Sequence, residues 1–76
     1  MTNEMIQQHV INRMMGGGIA PGSFIRNLIE AIAVADSTNL AKLHLGFPEY
    51  VDAVRAYQTG EGIDKFPIIR KAIEES

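Results

Sequence analysis

Residues 16–23 read Gly-Gly-Gly-Ile-Ala-Pro-Gly-Ser, and this stretch separates the first two helical segments of the chain. Glycine accepts the left-handed backbone with which many helices end, and proline cannot continue a helix. Two further breaks read Gly46-Phe47-Pro48 and Gly60-Glu61-Gly62. Between the breaks, apolar residues recur every three or four positions and do not alternate, which indicates helices and not strands.

These breaks predict helical segments over about residues 3–15, 24–35, 37–45, 48–59 and 65–75. The side chains expected to cap their N-termini are Thr2, Ser23, Asp36 and Asp64, and Pro48 suits the first turn of the fourth segment. The sequence therefore predicts an all-α protein, a small bundle of four to five short helices that forms one domain over residues 1–76.

The boundary between the second and third segments has two interpretations. Asp36-Ser37-Thr38-Asn39 is a cluster of residues that favour caps and turns, so Asp36 can begin a new helix. Alternatively, one helix continues through the cluster with a bend. We favour the break.

Composition and charge exclude several classes of protein. The chain has 76 residues, of which 46% are hydrophobic and 21% charged, as expected of a folded globular domain. Its net charge of −2 disfavours a protein that binds nucleic acid without sequence preference. The absence of cysteine excludes disulfides and cysteine-ligated zinc. Residues 1–15 lack the apolar stretch of a secretory signal, so we expect a cytoplasmic protein that does not span a membrane.

A glycine-rich turn that leads into a helix can bind an anion, because backbone N–H groups and the positive end of the helix dipole point at it. The residues that would form such a site are Gly16, Gly17, Gly18, Gly22, Ser23 and Arg26. The spacing matches neither the P-loop nor the dinucleotide-binding fingerprint. A simpler interpretation is a helix C-cap, a turn and an N-cap.

Catalytic chemistry has little support in the sequence. His9 and His44 lie in different predicted helices and lack the His-Glu-x-x-His spacing of a zinc site. The serines and threonines fall where caps and turns belong, and so short a chain leaves little room for a substrate cleft. We expect no catalytic residue, metal site or cofactor, and we predict that the protein is not an enzyme.

Residues 29–43 loosely follow the helix-turn-helix pattern of DNA-binding proteins. Ala33 stands where that motif prefers glycine, and Ile29 stands where it prefers a small residue. The second helix would carry Lys42 as its one basic side chain, which is poor for contacts to phosphates and bases. DNA binding is therefore the second alternative, and we do not expect nucleic acid as a partner.

Large apolar residues exceed what five short helices can cover. Four methionines (Met1, Met5, Met14 and Met15) lie in residues 1–15, and four aromatic residues lie between positions 47 and 66. Methionine and tyrosine are frequent at binding surfaces. We therefore expect an exposed apolar patch that contacts a partner or a second copy of the chain. The residues predicted to form it are Met14, Met15, Tyr50, Val54 and Tyr57.

Three short motifs resemble those of a loose group of phage and prophage proteins. They are Gly-Gly-Ile-Ala-Pro-Gly-Ser-Phe-Ile at 17–25, Ala-Asp-Ser-Thr-Asn-Leu at 35–40, and Gly-Phe-Pro-Glu-Tyr-Val at 46–51. The group has a Gly-x-Pro-Pro-Gly-Ser-Phe-Leu opening followed by Ala-Asp-x-x-Asn. Here Ala20 replaces the first proline, and residues 27–30 depart from the Asn-Asp-Leu run of the group. The similarity covers about residues 16–58.

The resemblance implies a small accessory protein that a phage makes inside a bacterium, and it implies no catalytic residues. Such proteins commonly block a host enzyme, counter a defence system or sequester a signal molecule. Combined with the apolar surplus, it favours a homo-oligomer that binds a host protein in the bacterial cytoplasm and inhibits or redirects it. The main alternative is a protein that binds a small nucleotide-like anion at residues 16–23.

Overall fold

The computed structural model describes residues 2–76, and they form five α-helices. These are α1 (Asn3–Met15), α2 (Ser23–Val34), α3 (Ser37–Gly46), α4 (Pro48–Thr59) and α5 (Pro67–Glu75), with one turn of 3₁₀ helix at Ile63–Lys65. No strand forms within these residues. The prediction of a small all-α bundle is therefore confirmed. None of the described helices is long and apolar enough to cross a membrane.

Helix α4 lies at the centre of the bundle and packs against each of the other four helices. Its residues Ala53 and Ala56 have no exposed surface, and their small side chains let the neighbouring helices approach closely. The buried apolar core consists of Ile6, Val10, Ile11, Leu28, Ile29, Ile32, Tyr50, Val51, Ala53, Val54, Ala56, Phe66 and Ile69. Helix α3 contributes no fully buried residue and packs mainly on α4.

Two N-terminal caps form as the sequence predicts. The Thr2 hydroxyl accepts a hydrogen bond from the Met5 N–H at 3.2 Å, and an Asp36 carboxylate oxygen accepts one from the Asn39 N–H at 2.8 Å. Each bond satisfies a backbone donor that the first turn of a helix leaves without a partner. The break at Asp36 is therefore confirmed, and the alternative of one bent helix through residues 36–39 is wrong.

The starts of α2 and α5 differ from the prediction. Gly22 is the N-cap of α2, so Ser23 is the first residue inside that helix and makes no cap bond. Asp64 lies in the 3₁₀ turn, where it pairs with Arg70 at 3.2 Å, and α5 begins only at Pro67. The ring of a proline disfavours helical backbone in the residue before it, which explains why the chain bends at Phe66.

A buried glutamine in α1 caps the start of α5. The Gln7 side-chain oxygen accepts hydrogen bonds from the N–H groups of Ile68 at 2.8 Å and Ile69 at 3.0 Å. Pro67 has no N–H to satisfy. The Gln7 amide nitrogen donates to the Asn3 side chain, so both ends of this buried amide are paired. A side chain 61 residues away in sequence thus replaces the local cap that α5 lacks.

We predict that Gln7→Leu lowers the free energy of unfolding by about 1–3 kcal/mol, because the buried N–H of Ile69 and the partly buried N–H of Ile68 lose their acceptor. The neighbouring Gln8 provides the control, since its side chain makes no hydrogen bond within residues 2–76 and is only half-buried. Gln8→Leu should change stability by less than about 0.5 kcal/mol. Urea denaturation of the two variants measures the difference, and equal losses would contradict the capping role.

Candidate functional site

The first half of the glycine-rich loop folds back along α1. Gly16 adopts the left-handed conformation (φ 93°), and its N–H bonds to the carbonyl oxygens of Ile11 and Asn12. Gly18 is also left-handed (φ 66°), and a Cβ there would lie 2.5 Å from the Gln8 carbonyl oxygen. The left-handed backbone thus favours glycine at positions 16 and 18, and close packing adds a second requirement at position 18. Gly17 has no such requirement.

The second half of the loop forms the first turn of α2. Gly22, Ser23 and Arg26 are all exposed there. No side chain caps this helix end, and Arg26 makes no ion pair with any residue between 2 and 76. The structure therefore places one free cation beside the N-terminus of α2. Gly16 and Gly18, in contrast, pack against α1.

The residues predicted to form an apolar contact surface do not lie together on the outside. Tyr50 is 6% exposed and Val54 has no exposed surface, because α4 is surrounded by the other helices. Met14, Met15 and Tyr57 are half-buried and pack against the core. The prediction that Tyr50 and Val54 contact a partner is therefore wrong for the folded chain. Met1, also part of the methionine cluster, lies outside the described residues.

His9 and Tyr50 form a buried polar pair between α1 and α4. The His9 Nδ1 atom lies 2.9 Å from the Tyr50 hydroxyl oxygen, and the two rings are nearly parallel at 4°. Burial lowers the pKa of His9. Burial, together with the negative charge of Glu49, raises the pKa of Tyr50. Both shifts favour the neutral side chains, and the contact joins α1 to α4.

We predict that this pair makes the fold less stable in mild acid. His9 in the unfolded chain titrates near 6.5, above its pKa in the folded state. The unfolded state thus binds more protons as the pH falls through 6.5, and the stability that is fully present above that pH is progressively lost. Urea denaturation between about pH 7.5 and about pH 5 measures this slope.

The exposed His44 provides the matched control for this pH dependence. His9→Gln should flatten the dependence of unfolding free energy on pH, whatever its effect on absolute stability. His44→Gln, on the surface of α3, should leave the His9 contribution in place. A wild-type profile that matches that of His9→Gln would show that His9 is not the responsible group.

A groove between α3 and α4 carries polar side chains. His44 Nε2 lies 3.1 Å from an Asp52 oxygen, and Arg55 pairs with Glu61 at 3.0 Å, all partly exposed. Ser37 also lines the groove, but it lies seven residues from His44 along α3, which is about 10 Å. Among residues 2–76, no group of three potential metal ligands converges.

The most distinctive surface feature is a set of large apolar side chains exposed to solvent. They are Ile19, Phe24, Val34, Leu45, Phe47 and Ile73. Leu45 and Phe47 flank the turn between α3 and α4, and the Phe47 ring lies 6.0 Å from the ring of Phe24 at the start of α2. The sequence contains a signal for part of this surface. Helix α2 is apolar over most of its circumference, and a helix on the outside of a bundle cannot bury all of its sides.

No protein-family model matches the sequence, and no characterised protein or solved structure shows significant similarity to the chain. The fold and the surface define the class as a small all-α bundle with exposed apolar side chains.

Proposed function

We propose that this chain is a non-enzymatic accessory protein of the phage type, which binds a host protein and inhibits or redirects it, and which works as a homo-oligomer. The observation that carries the proposal is the exposure of large apolar side chains in so small a bundle. Leu45 is 87% exposed, Val34 is 84% exposed and Phe24 is 64% exposed. The Phe24 and Phe47 rings lie 6.0 Å apart, and exposed apolar patches mark interaction sites in soluble proteins.

The turn between α3 and α4 is the surface that we assign to the host protein. Leu45 projects from the last turn of α3. Phe47 lies two residues further along the chain, immediately before Pro48, where α4 begins. Pro48 in the first turn of α4 and the packing of α3 on α4 restrict the conformations of this turn. An exposed leucine and phenylalanine at such a turn are suited to insertion into a pocket on a partner, where such anchors dominate binding energy.

Affinity capture from a bacterial lysate tests this proposal with the tagged full chain and two variants. We expect the wild-type chain to retain a host protein that mass spectrometry identifies. Leu45→Ser should weaken binding of that purified protein at least about tenfold, because an apolar anchor is lost. Leu45 packs against nothing in the core, so the variant should fold normally.

The control substitution is Lys42→Ser on the same helix. Lys42 is exposed and makes no ion pair within the described chain, so the variant should bind the host protein as the wild type does. If no host protein is enriched by the wild-type chain, the proposal is contradicted. If one is enriched and Leu45→Ser binds it equally well, the assignment of the α3–α4 turn is wrong.

The anion-binding alternative has one specific observation in its favour, which is the free cation Arg26 beside the uncapped start of α2. If this alternative holds, calorimetry with mononucleotides and dinucleotides should detect binding to the wild-type chain, and Arg26→Ala should abolish it. Unchanged affinity in Arg26→Ala would exclude the first turn of α2 as the site. No heat of binding for the wild-type chain would exclude these nucleotides as ligands.

A further inference from the structure

Helix α3 is attached to the bundle through fewer buried side chains than the other four helices. Each of the others buries at least one residue, whereas α3 buries none. Its Leu40 and Leu43 are half-buried against the core, and its other eight residues are exposed. A helix of ten residues is only marginally stable by itself in water, so α3 depends on the packing of these two leucines.

The contact between α3 and α4 is incompletely packed. A groove of about 470 Å³ lies between the two helices, where Leu40 and Ala41 of α3 face Val51 of α4. His44 Nε2 lies 3.1 Å from an Asp52 oxygen, but both side chains are about half exposed. Contacts between charged groups that water reaches so freely contribute little to stability. Neither apolar packing nor charge therefore holds α3 tightly on α4.

Helix α5 also buries a single residue, Ile69, yet it is anchored differently. The Gln7 side chain of α1 accepts hydrogen bonds from two N–H groups at the start of α5. The start of α3 is capped by Asp36, the residue immediately before that helix. A distant element thus fixes the start of α5, whereas the cap of α3 is local and ties α3 to no other helix.

The segments on either side of α3 are attached to the bundle without it. At the end of α2, the Gln58 side chain of α4 donates a hydrogen bond to the Ala33 carbonyl oxygen at 3.1 Å. Ala35 and Asp36 then have extended backbone, and Phe47 is the single residue between α3 and α4. Changes in the backbone angles of these few residues can release α3 while α2 and α4 keep their positions.

We propose that α3 is a lid on α4, which opens while α1, α2, α4 and α5 stay folded. Elements with few buried apolar contacts open at a lower free energy than the core, because their opening exposes little apolar surface. Val51 of α4 is 1% exposed and lines the groove beside α3. Opening of the lid uncovers this side chain, which the closed bundle hides from solvent.

This inference goes beyond the proposed function and does not rest on it. A chain that binds no host protein would still open its lid, so failure of the host-binding proposal leaves the lid in place. Conversely, a chain with a fixed α3 could still present Leu45 to a host protein.

Labelling of introduced cysteines tests the lid, because the natural chain contains no cysteine. Val51→Cys and Val10→Cys each place one thiol at a buried valine, beside α3 in the first variant and within α1 in the second. The probe is a disulfide reagent, so dilute that reclosing outruns reaction and the rate reports the population of the open form. We expect Val51→Cys to react at least about tenfold faster than Val10→Cys, because only α3 has to open.

A substitution on α5 separates opening of the lid from unfolding of the whole bundle. Ile69 has no exposed surface, and Ile69→Val should raise the labelling rate of Val10→Cys about two- to tenfold by destabilising the core. It should leave the rate of Val51→Cys unchanged, because α5 stays packed when α3 opens alone. Leu43→Ala, on the lid itself, should raise the rate of Val51→Cys at least about threefold.

Three outcomes would overturn the lid, and circular dichroism first confirms that each variant retains its helices. One is an equal labelling rate for Val51→Cys and Val10→Cys. Another is an effect of Ile69→Val on both thiols to the same extent, since position 51 would then be exposed only by unfolding of the whole bundle. The third is a rate for Val51→Cys that Leu43→Ala does not change, since the opening would then not involve α3.

Discussion

The packing of α4 against all four other helices is the constraint on which the rest of the structure depends. In a bundle of 76 residues, only one helix can be surrounded, and every other helix keeps a side in contact with solvent. The side chains of α4 that resemble a binding surface in sequence, Tyr50 and Val54, are therefore buried. Helix α2 is apolar over most of its circumference and has to expose part of it.

Two polar contacts give this apolar packing a definite arrangement. Gln7 fixes α1 against the start of α5, and His9 fixes α1 against Tyr50 of α4. Apolar contacts alone are non-directional, whereas a buried hydrogen bond is satisfied in only one relative position of the helices. No buried side-chain nitrogen or oxygen within the described chain lacks a partner, so hydrogen bonds offset the cost of removing these polar groups from water.

The same packing explains why the proposed functional surfaces lie where they do. The α3–α4 turn is held on one side by α4 and projects Leu45 on the other. Phe24 and Val34 of α2 are exposed because Leu28, Ile29 and Ile32 occupy the side of that helix that faces the core.

Local chemistry in the sequence was sufficient to predict the helices and most of their limits. The left-handed Gly16, the caps Thr2 and Asp36, and the apolar period each act within a turn or two of the backbone. Only the tertiary structure decided which of two apolar faces of α2 is buried, that Tyr50 lies in the core, and that Gln7 caps a helix 61 residues away. These outcomes depend on which helices meet, and contacts between distant segments leave no periodic signal in the chain.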